Sequence, residues 1–124
     1  MKKNPVDPTL TTPLSMFTDA KHYRVAVQVL IDRATAEDAP DLLGFQLQMP
    51  TMALMSMSLE SALKSYLYAS GVDPNVLKND FGHNLVRLRD EVETRSEGEI
   101  RSLVQQVTYL LDYLNPPYVG KKFQ

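Results

Sequence analysis

The chain has 124 residues, 44% of them hydrophobic, and its 13 Lys and Arg against 15 Asp and Glu give a formal net charge of -2. This predicts one soluble globular domain and excludes a general electrostatic attraction to nucleic acid or anionic membrane. Since there is no cysteine and there are only two histidines, a disulfide framework is excluded, a zinc site is disfavoured, and a reducing cytoplasm fits. No apolar run approaches the roughly 20 residues that cross a bilayer, so we expect a cytoplasmic protein with no membrane span, no metal and no cofactor.

The first 17 residues are predicted to form a flexible arm, because three prolines and several small polar residues leave no periodicity. No apolar core follows Lys2 and Lys3, so the arm does not resemble a signal peptide. The helical domain is predicted to span residues 18–118 and to open with a helix from Thr18, its N-cap, to Arg33. The core stripe of this helix recurs at three- and four-residue spacing and comprises Tyr23, Ala26, Val27, Leu30, Ile31 and Ala34.

A central helix is predicted from Thr51 to Ser70, with Gly71 at the position of a left-handed C-cap. Residues 41–48 could form a short helix of their own or the first turns of this one. Pro50 leaves both choices open, because proline fits the first turn of a helix and also kinks a longer helix. Small residues at the other positions predict close approach by neighbouring helices on more than one side.

Four methionines cluster in this region, at Met49, Met52, Met55 and Met57. Methionine repacks easily, so the cluster could be an adaptable partner groove, but core filling is favoured. If the methionines occupy two faces of one helix, the second face could pack against another subunit.

The second half of the chain is predicted to hold two more helices after a proline-containing connection with one turn at Pro74 to Leu77. Asp80 is expected to cap the first, whose apolar seam is Leu85, Leu88 and Val92. The second is expected to start at the capping-box spacing of Ser96 and Glu99 and to end at the two prolines. Its unbroken stripe comprises Ile100, Leu103, Val104, Val107, Leu110, Leu111 and Leu114.

A basic tail, residues 119–124, follows this last helix. Strand signals are absent along the chain, since no segment alternates over more than a few residues. The sequence therefore predicts an all-α protein, an antiparallel bundle of four to five helices.

The segment Leu59 to Leu67, with Glu60 and Lys64, is followed by Gly71 and by Gly82-His83-Asn84-Leu85. Together with the helix from Tyr23 to Leu30 and with Leu88, this order resembles the HEPN domains of bacteria and archaea over about residues 18–118. The resemblance implies a homodimeric helical bundle. Active HEPN members are metal-independent ribonucleases with an Arg four to six residues before a His, and neither histidine here has that Arg. The resemblance therefore implies a non-catalytic member that binds RNA, a nucleotide or a cognate protein, as in prokaryotic defence or toxin–antitoxin systems.

Glu60 and Lys64, at helical i and i+4 positions, match a Glu and a Lys of the resembling domains. They could form a solvated pair, which contributes about 0.2–0.5 kcal/mol when exposed. Alternatively, Glu60 could be partly buried and accept a hydrogen bond from another helix.

His83 is predicted to lie in the first turn of its helix, where the helix dipole keeps the ring neutral. It could simply pack against or cap the helix start. As a general base it would need a nucleophile or a phosphate-orienting cation beside it, and Lys78 and Arg87 are the local cations. His22 is expected at the surface.

A second polar cluster near the end of the last helix comprises Asn115, Tyr118, Lys121 and Lys122. The ligand site of resembling domains lies near this part of the helix, so the cluster could hold a phosphate or stack a base. Alternatively, Tyr118 could fold back on the bundle. The arginines from Arg87 to Arg101 are interleaved with carboxylates, which favours a mixed, solvated face over a phosphate track.

Three functions follow as hypotheses. The first is a non-catalytic module that binds RNA, a nucleotide or a cognate protein. The second is a divergent ribonuclease that uses His83, Tyr118 and Lys122. The third is a purely structural dimeric bundle.

Overall fold

The fold is all-α, as the sequence predicts, and the computed structural model describes residues 5–119. No strand occurs within those residues, and no helix among them is long and apolar enough to cross a membrane. Five of the helices have nine or more residues. The elements in chain order are α1 (Pro13–Ala34), α2 (Leu43–Ala69), α3 (Pro74–Val76), a π-helical turn (Leu77–Phe81), α4 (Leu85–Arg95), α5 (Gly98–Gln106) and α6 (Thr108–Val119).

Helix α1 begins five residues before the predicted start. Thr12 is the N-cap: its hydroxyl accepts a hydrogen bond from Ser15 N at 3.0 Å, and Ser15 Oγ accepts one from Thr12 N at 2.8 Å. Pro13 occupies the first helical position, where its missing N–H costs nothing. The prediction of Thr18 as N-cap was therefore wrong, because Thr12 supplies a reciprocal cap that satisfies two free amides.

Helix α2 is one long helix that contains Pro50, so the longer of the two alternatives is the one adopted. Pro50 has no N–H to donate to the carbonyl of Gln46, and the Thr51 hydroxyl bonds the neighbouring Leu47 carbonyl at 2.6 Å. At the other end Gly71 adopts a φ of 104°, which is the left-handed conformation predicted for it.

Helix α4 starts at Leu85, and its N-cap is Asn84, whose Oδ1 accepts from Arg87 N at 3.1 Å. The prediction that Asp80 caps this helix was wrong, because Asp80 lies in the π-helical turn. Gly82, with a φ of 54°, reverses the chain between that turn and α4. The predicted seam of α4 is confirmed, since Leu85, Leu88 and Val92 are all buried.

The predicted last helix is two helices. The chain leaves helical geometry at Val107, with φ -100° and ψ 6°, which separates α5 from α6. Helix α6 then continues through Pro116 and Pro117 to Val119, so the prediction that the prolines end it was wrong. The fixed φ of proline is compatible with a helix, although each ring removes one backbone donor and crowds the preceding turn.

The predicted capping box before α5 is also absent. Glu97 is the N-cap and makes no side-chain capping bond, and Gly98 with a φ of 59° is the first helical residue. Ser96 instead ends α4, and its buried hydroxyl has no hydrogen-bond partner among the described residues. The Ser-x-x-Glu spacing does not form a capping box here, because the tight connection between α4 and α5 buries the serine side chain.

The core lies where the C-terminal half of α2 meets α4, α5 and α6. Its buried members all come from residue 63 onward, and the two buried apolar residues of α1, Ala20 and Val27, lie outside the cluster. The core residues are Leu63, Leu67, Val72, Leu77, Leu85, Leu88, Val92, Val104, Leu111, Leu114 and Tyr118. Helices α1 and α2 form a helical hairpin, and this hairpin therefore extends beyond the core.

The methionines divide between core and surface. Met52, Met55 and Met57 are partly buried against the core, as core filling predicts. Met49, one turn before Met52, is 41% exposed and stands beyond the core on the same helix.

Candidate functional site

Three polar side chains converge on the carboxylate of Glu60, and we call these four residues the carboxylate cluster. Glu60 Oε1 accepts hydrogen bonds from Tyr118 Oη at 2.6 Å and from His83 Nδ1 at 2.7 Å. Glu60 Oε2 accepts one from Lys64 Nζ at 2.9 Å. The Glu60 side chain is 13% exposed and that of Lys64 is 11% exposed, so this i and i+4 pair is largely buried. Of the two alternatives for Glu60, the structure contains the one with a hydrogen bond from another helix.

The cluster connects three parts of the chain that lie far apart in sequence. Glu60 and Lys64 stand on consecutive turns of α2, His83 comes from the connection before α4, and Tyr118 from the last turn of α6. The Tyr118 and His83 rings also meet edge to face, with centroids 5.2 Å apart. Each bond to a largely buried carboxylate is stronger than a neutral one, so the cluster fixes how these elements are packed.

Burial raises the pKa of the Tyr118 phenol well above its ordinary value of about 10, and the Glu60 carboxylate beside it raises it further. The phenol therefore stays protonated at neutral pH and acts as a donor. A carboxylate oxygen only accepts, so both Tyr118 and His83 place a hydrogen on the same Glu60 oxygen.

His83 precedes its helix rather than lying in the first turn, because Asn84 is the N-cap. The prediction that His83 lies in the first turn was therefore wrong, and the Glu60 carboxylate is the direct neighbour of its ring. With Nδ1 donating to Glu60, Nε2 is the remaining ring nitrogen, and the side chain is 49% exposed. His83 is thus an oriented imidazole at the surface.

Asn115 performs a different task from the predicted one. Its Oδ1 accepts from Leu85 N at 2.6 Å and from Val86 N at 3.3 Å, so it caps the start of α4 from across the bundle. Tyr118 is buried on the Glu60 side. The Asn115 Oδ1 and the Tyr118 hydroxyl are thus each engaged within the bundle, and Lys121 and Lys122 lie outside the described residues.

The arginine face is mixed in sign. Arg89 contacts Asp112 at 2.7 Å and Asp90 at 2.9 Å, and Arg95 contacts Glu91 at 2.7 Å. The Arg87 guanidinium bonds the Asp80 carbonyl at 2.6 Å. These pairings match the prediction of a solvated face, and they leave its charge balanced.

A second feature is an apolar face along one side of the α1–α2 hairpin. On α2 it follows a heptad-like stripe at positions 48, 51, 55, 59, 62, 66 and 69, and on α1 it includes positions 13, 17, 31 and 34. Helix α6 packs across this side of the hairpin, and an open groove remains on each side of α6. We call these grooves, together with α6 between them, the apolar face.

The larger opening, the proximal groove, has a volume of about 550 Å³. No charged residue is among its lining residues, and Gln106 and Ser65 are its polar members. The Ser65 hydroxyl already donates to the Ala62 carbonyl at 2.8 Å. The floor and walls are formed mainly by Phe17, Leu59, Ala62, Tyr66, Ile100, Leu103 and Val107.

The distal groove, of about 390 Å³, lies on the other side of α6. Its walls come from the C-terminal end of α1 and the start of α2, including Ile31 and Met52. No charged residue lines this groove. Leu111 of α6 lines the proximal groove and Leu110 lines the distal one. Helix α6 is therefore a ridge between two apolar depressions.

The outer edge of that ridge carries two tyrosines at i and i+4 spacing, which we call the tyrosine crest. Tyr109 is 76% exposed and Tyr113 is 64% exposed. Beside the proximal groove, Leu103 is 56% exposed and Phe17 is 50% exposed. Contiguous apolar surface of this kind is characteristic of interaction sites.

Sequence reasoning assigned the whole α5–α6 stripe to the core and missed this face. Val104, Leu111 and Leu114 are buried as expected, whereas Ile100 and Leu103 are exposed. The available signal was the width of the stripe, because seven apolar positions over fifteen residues exceed what one packed helix face needs. Tyr109 and Tyr113 on the opposite side were a second signal.

No group of three or more His, Asp or Glu side chains within residues 5–119 could hold a metal ion. The chain matches no family model, no curated protein and no solved structure. The resemblance to HEPN domains therefore stays a prediction from the sequence.

Proposed function

We propose that this chain is a non-catalytic helical module that binds another polypeptide through its apolar face. The observation that carries the proposal is the pair of grooves without a charged lining residue, flanked by exposed large apolar side chains. A surface of this type is stabilised by burial against another apolar surface, at about 25 cal/mol per Å².

The same observation favours a protein over the other two expected ligands. A nucleotide or RNA requires cations for its phosphates, whereas no Lys or Arg lines either groove, and Arg87, Arg89 and Arg95 are engaged with carboxylates or a carbonyl. Aromatic and aliphatic side chains in a groove instead suit a partner's apolar ridge. A cognate protein in a prokaryotic defence or toxin–antitoxin system, as the HEPN resemblance implies, agrees with this proposal.

A photo-crosslinking amino acid in place of Leu103 tests the proposal in cells that naturally produce the protein. The expected product is a covalent adduct that protease removes and nuclease does not. The matched control carries the same amino acid in place of Thr94, which is exposed on α4 away from the apolar face. Adducts of equal yield at both positions, or adducts with RNA at Leu103, would contradict the proposal.

A divergent ribonuclease is the second candidate, and the His83 geometry is what favours it. A largely buried carboxylate that holds Nδ1 leaves Nε2 as a proton acceptor near the surface, which is how carboxylate–histidine pairs support general-base chemistry. Tyr118 shares the same carboxylate oxygen and stays protonated. Lys122, the third proposed member, lies outside the described residues.

RNA incubated with purified protein distinguishes this candidate from the first. Cleavage that disappears in His83→Ala and persists in His22→Ala would support the ribonuclease. Intact RNA with the wild-type protein in the presence of chelator would rule out metal-independent cleavage and leave the binding module.

A further inference from the structure

We infer that the polypeptide bound in the proximal groove is an amphipathic α-helix of another protein, which places its apolar face on α2 and a carboxylate beside Lys21. This inference rests on the proposed function and names the class of its partner. The position of the groove between helices, the polarity of its walls, the spacing of its floor and the charge at its rim each support it.

The proximal groove is a gap that has helices on both sides. Helix α5 packs on α4 and α6, whereas α1 packs on α2. Pro13 and Phe17 of α1 line one wall of the gap, and Ile100 and Leu103 of α5 line the other. Phe17 and Leu103 are each at least half exposed, so both walls present large apolar side chains to the same space. A helix in this gap would contact α1, α2 and α5 at once.

The polarity of the walls favours a helix over an extended segment. A helix bonds its own backbone N–H and C=O groups internally, whereas an extended segment needs a partner for each of them. Among the lining residues, Ser65 already donates its hydroxyl to the Ala62 carbonyl, and Gln106 and Tyr66 supply the remaining side-chain polar groups. Residues 5–119 also contain no strand to whose edge an extended segment could add. Such a segment would therefore bury unpaired backbone groups in the groove.

The floor of the groove has the spacing of a helix-binding surface. It comprises Leu59, Ala62, Tyr66 and Ala69 of α2, at i, i+3, i+7 and i+10, which lie on one helix face over about 15 Å. The two alanines alternate with the larger Leu59 and Tyr66, so they form hollows two turns apart. Large side chains at i and i+7 of a facing helix are also about 10 Å apart and fit such hollows as knobs fit holes.

The rim of the groove carries a cation on the α1 side. Lys21 Nζ lies 5.5 Å from the centroid of the Phe17 ring, and Phe17 lines the groove. Asp19, two positions from each of them, is about 200° away around α1. A carboxylate on the flank of the bound helix that faces α1 would therefore pair with the Lys21 ammonium. A pair at the rim adds little affinity, but it fixes which way a partner lies.

The other charged side chains near the groove leave this preference unchanged. Asp112 of α6 is paired with Arg89 of α4 at 2.7 Å and is not a lining residue. On α5, Glu99 and Arg101 are both exposed and have opposite charges. The α1 side is therefore where the charge of a partner helix decides its fit.

Binding of designed peptides to the full chain tests the inference. The first probe is a fluorescein-labelled, alanine-based peptide of about 18 residues, with Leu at i, i+3, i+7 and i+10 and Glu along one flank of that stripe. A second peptide has Lys in place of each Glu, and a third has Pro at its centre, which breaks the helix. Fluorescence anisotropy is expected to show binding of the Glu peptide. The Lys peptide should bind about fivefold more weakly and the Pro peptide at least about tenfold more weakly.

Variants of the chain locate the bound peptide. Lys21→Glu is expected to reverse the preference, so that the Lys peptide binds better than the Glu peptide. Lys78→Glu, in the π-helical turn, is the matched control and should keep the wild-type order. Ala62→Leu fills one hollow at an exposed position and is expected to weaken the Glu peptide about tenfold, whereas Thr94→Leu on α4 should not. Circular dichroism of every variant separates loss of binding from unfolding.

Three results would overturn the inference: a Pro peptide that binds as tightly as the Glu peptide, an unchanged preference in Lys21→Glu, or no binding of the Glu peptide at about 1 mM. The Leu103 crosslinking result then shows whether the proposed function fails as well. A polypeptide adduct from Leu103 retains the proposed function with a partner of another shape. An adduct between two copies of this chain also overturns the inference, because the chain itself is then the occupant. Without any adduct, both proposals fail.

Discussion

Glu60 is the residue at which polar side chains from α2, α6 and the connection before α4 meet. Its two oxygens accept from Lys64, His83 and Tyr118, and its side chain is only 13% exposed. Removing one member of a largely buried ion pair leaves the other charged group without compensation, which costs more than the pair itself contributes. The effect of changing Glu60 should therefore exceed that of any exposed carboxylate.

Glu60→Gln is expected to lower the free energy of unfolding by about 2–4 kcal/mol, because the Lys64 ammonium keeps its place without a carboxylate beside it. Urea denaturation measures this loss. The matched control is Glu91→Gln, which removes a more exposed pair with Arg95 and is expected to cost less than about 1 kcal/mol. Equal losses in the two variants would show that the Glu60 pair contributes no more than a surface pair.

Tyr118 is expected to ionise well above the ordinary pH range of a phenol, since burial and the Glu60 carboxylate raise its pKa. The stability that comes from the protonated phenol is fully present below the unfolded-state pKa of about 10 and is lost as the pH rises above it toward the folded-state value. Alkaline titration followed by phenolate absorbance measures the order of ionisation.

The Tyr118→Phe variant should lack one late-ionising phenol and should lose less stability than wild type above about pH 10. Tyr109→Phe, at an exposed position, is the control and should keep the late-ionising phenol. A late phase of unchanged size in Tyr118→Phe would mean that another tyrosine is responsible.

At the scale of the elements, α2 shows how tertiary packing overrides local signals. Pro50 lies in the interior of a 27-residue helix, although a proline there removes a hydrogen bond and crowds the preceding turn. The residues after Pro50 pack on α1 and the core, and those contacts hold the helix continuous through the proline. One such contact is the Ser58 hydroxyl, which bonds the Ala20 carbonyl at 2.8 Å.

Pro50→Ala is expected to raise the free energy of unfolding by about 1–3 kcal/mol, because alanine restores the amide donor and is the best helix former. Position 50 is exposed, so the change disturbs no packing. Thermal unfolding gives the measurement, and Pro13→Ala, at the first position of α1, should give little change. A destabilised Pro50→Ala would show that the proline conformation is needed by the hairpin.

The existence and type of the main helices could be predicted from the sequence, whereas several boundaries and the site geometry could not. The three- and four-residue spacing of apolar residues predicted α2 and the seam of α4, because each has one clear apolar stripe. The start of α1 depended on Thr12 and Ser15 bonding each other, and the break at Val107 on how α5 and α6 pack. The meeting of Glu60 with Tyr118, 58 residues apart, is set by tertiary structure and leaves no local signal.

On the scale of the whole molecule, packing density is uneven. The buried cluster begins at Leu63, while the start of α2 and the end of α1 contribute none of its members. Side chains such as Phe45 and Val29, 79% and 61% exposed, lie on that hairpin end. Elements with few buried contacts open more readily than the core around them.

Hydrogen exchange should follow this division in dilute protein. Amides of residues 25–49 are expected to exchange faster than those around Leu67, Leu88 and Leu111, which require global unfolding. Uniform exchange along the chain would contradict the uneven packing.

The break between α5 and α6 at Val107 limits the insertions and deletions that the chain can accept there. A single residue added there would turn α6 by about 100° about its axis. Leu111 and Leu114 would then point away from the interior, Asn115 would leave the start of α4, and Tyr118 would leave Glu60 of α2. This position should accept hardly any insertion or deletion.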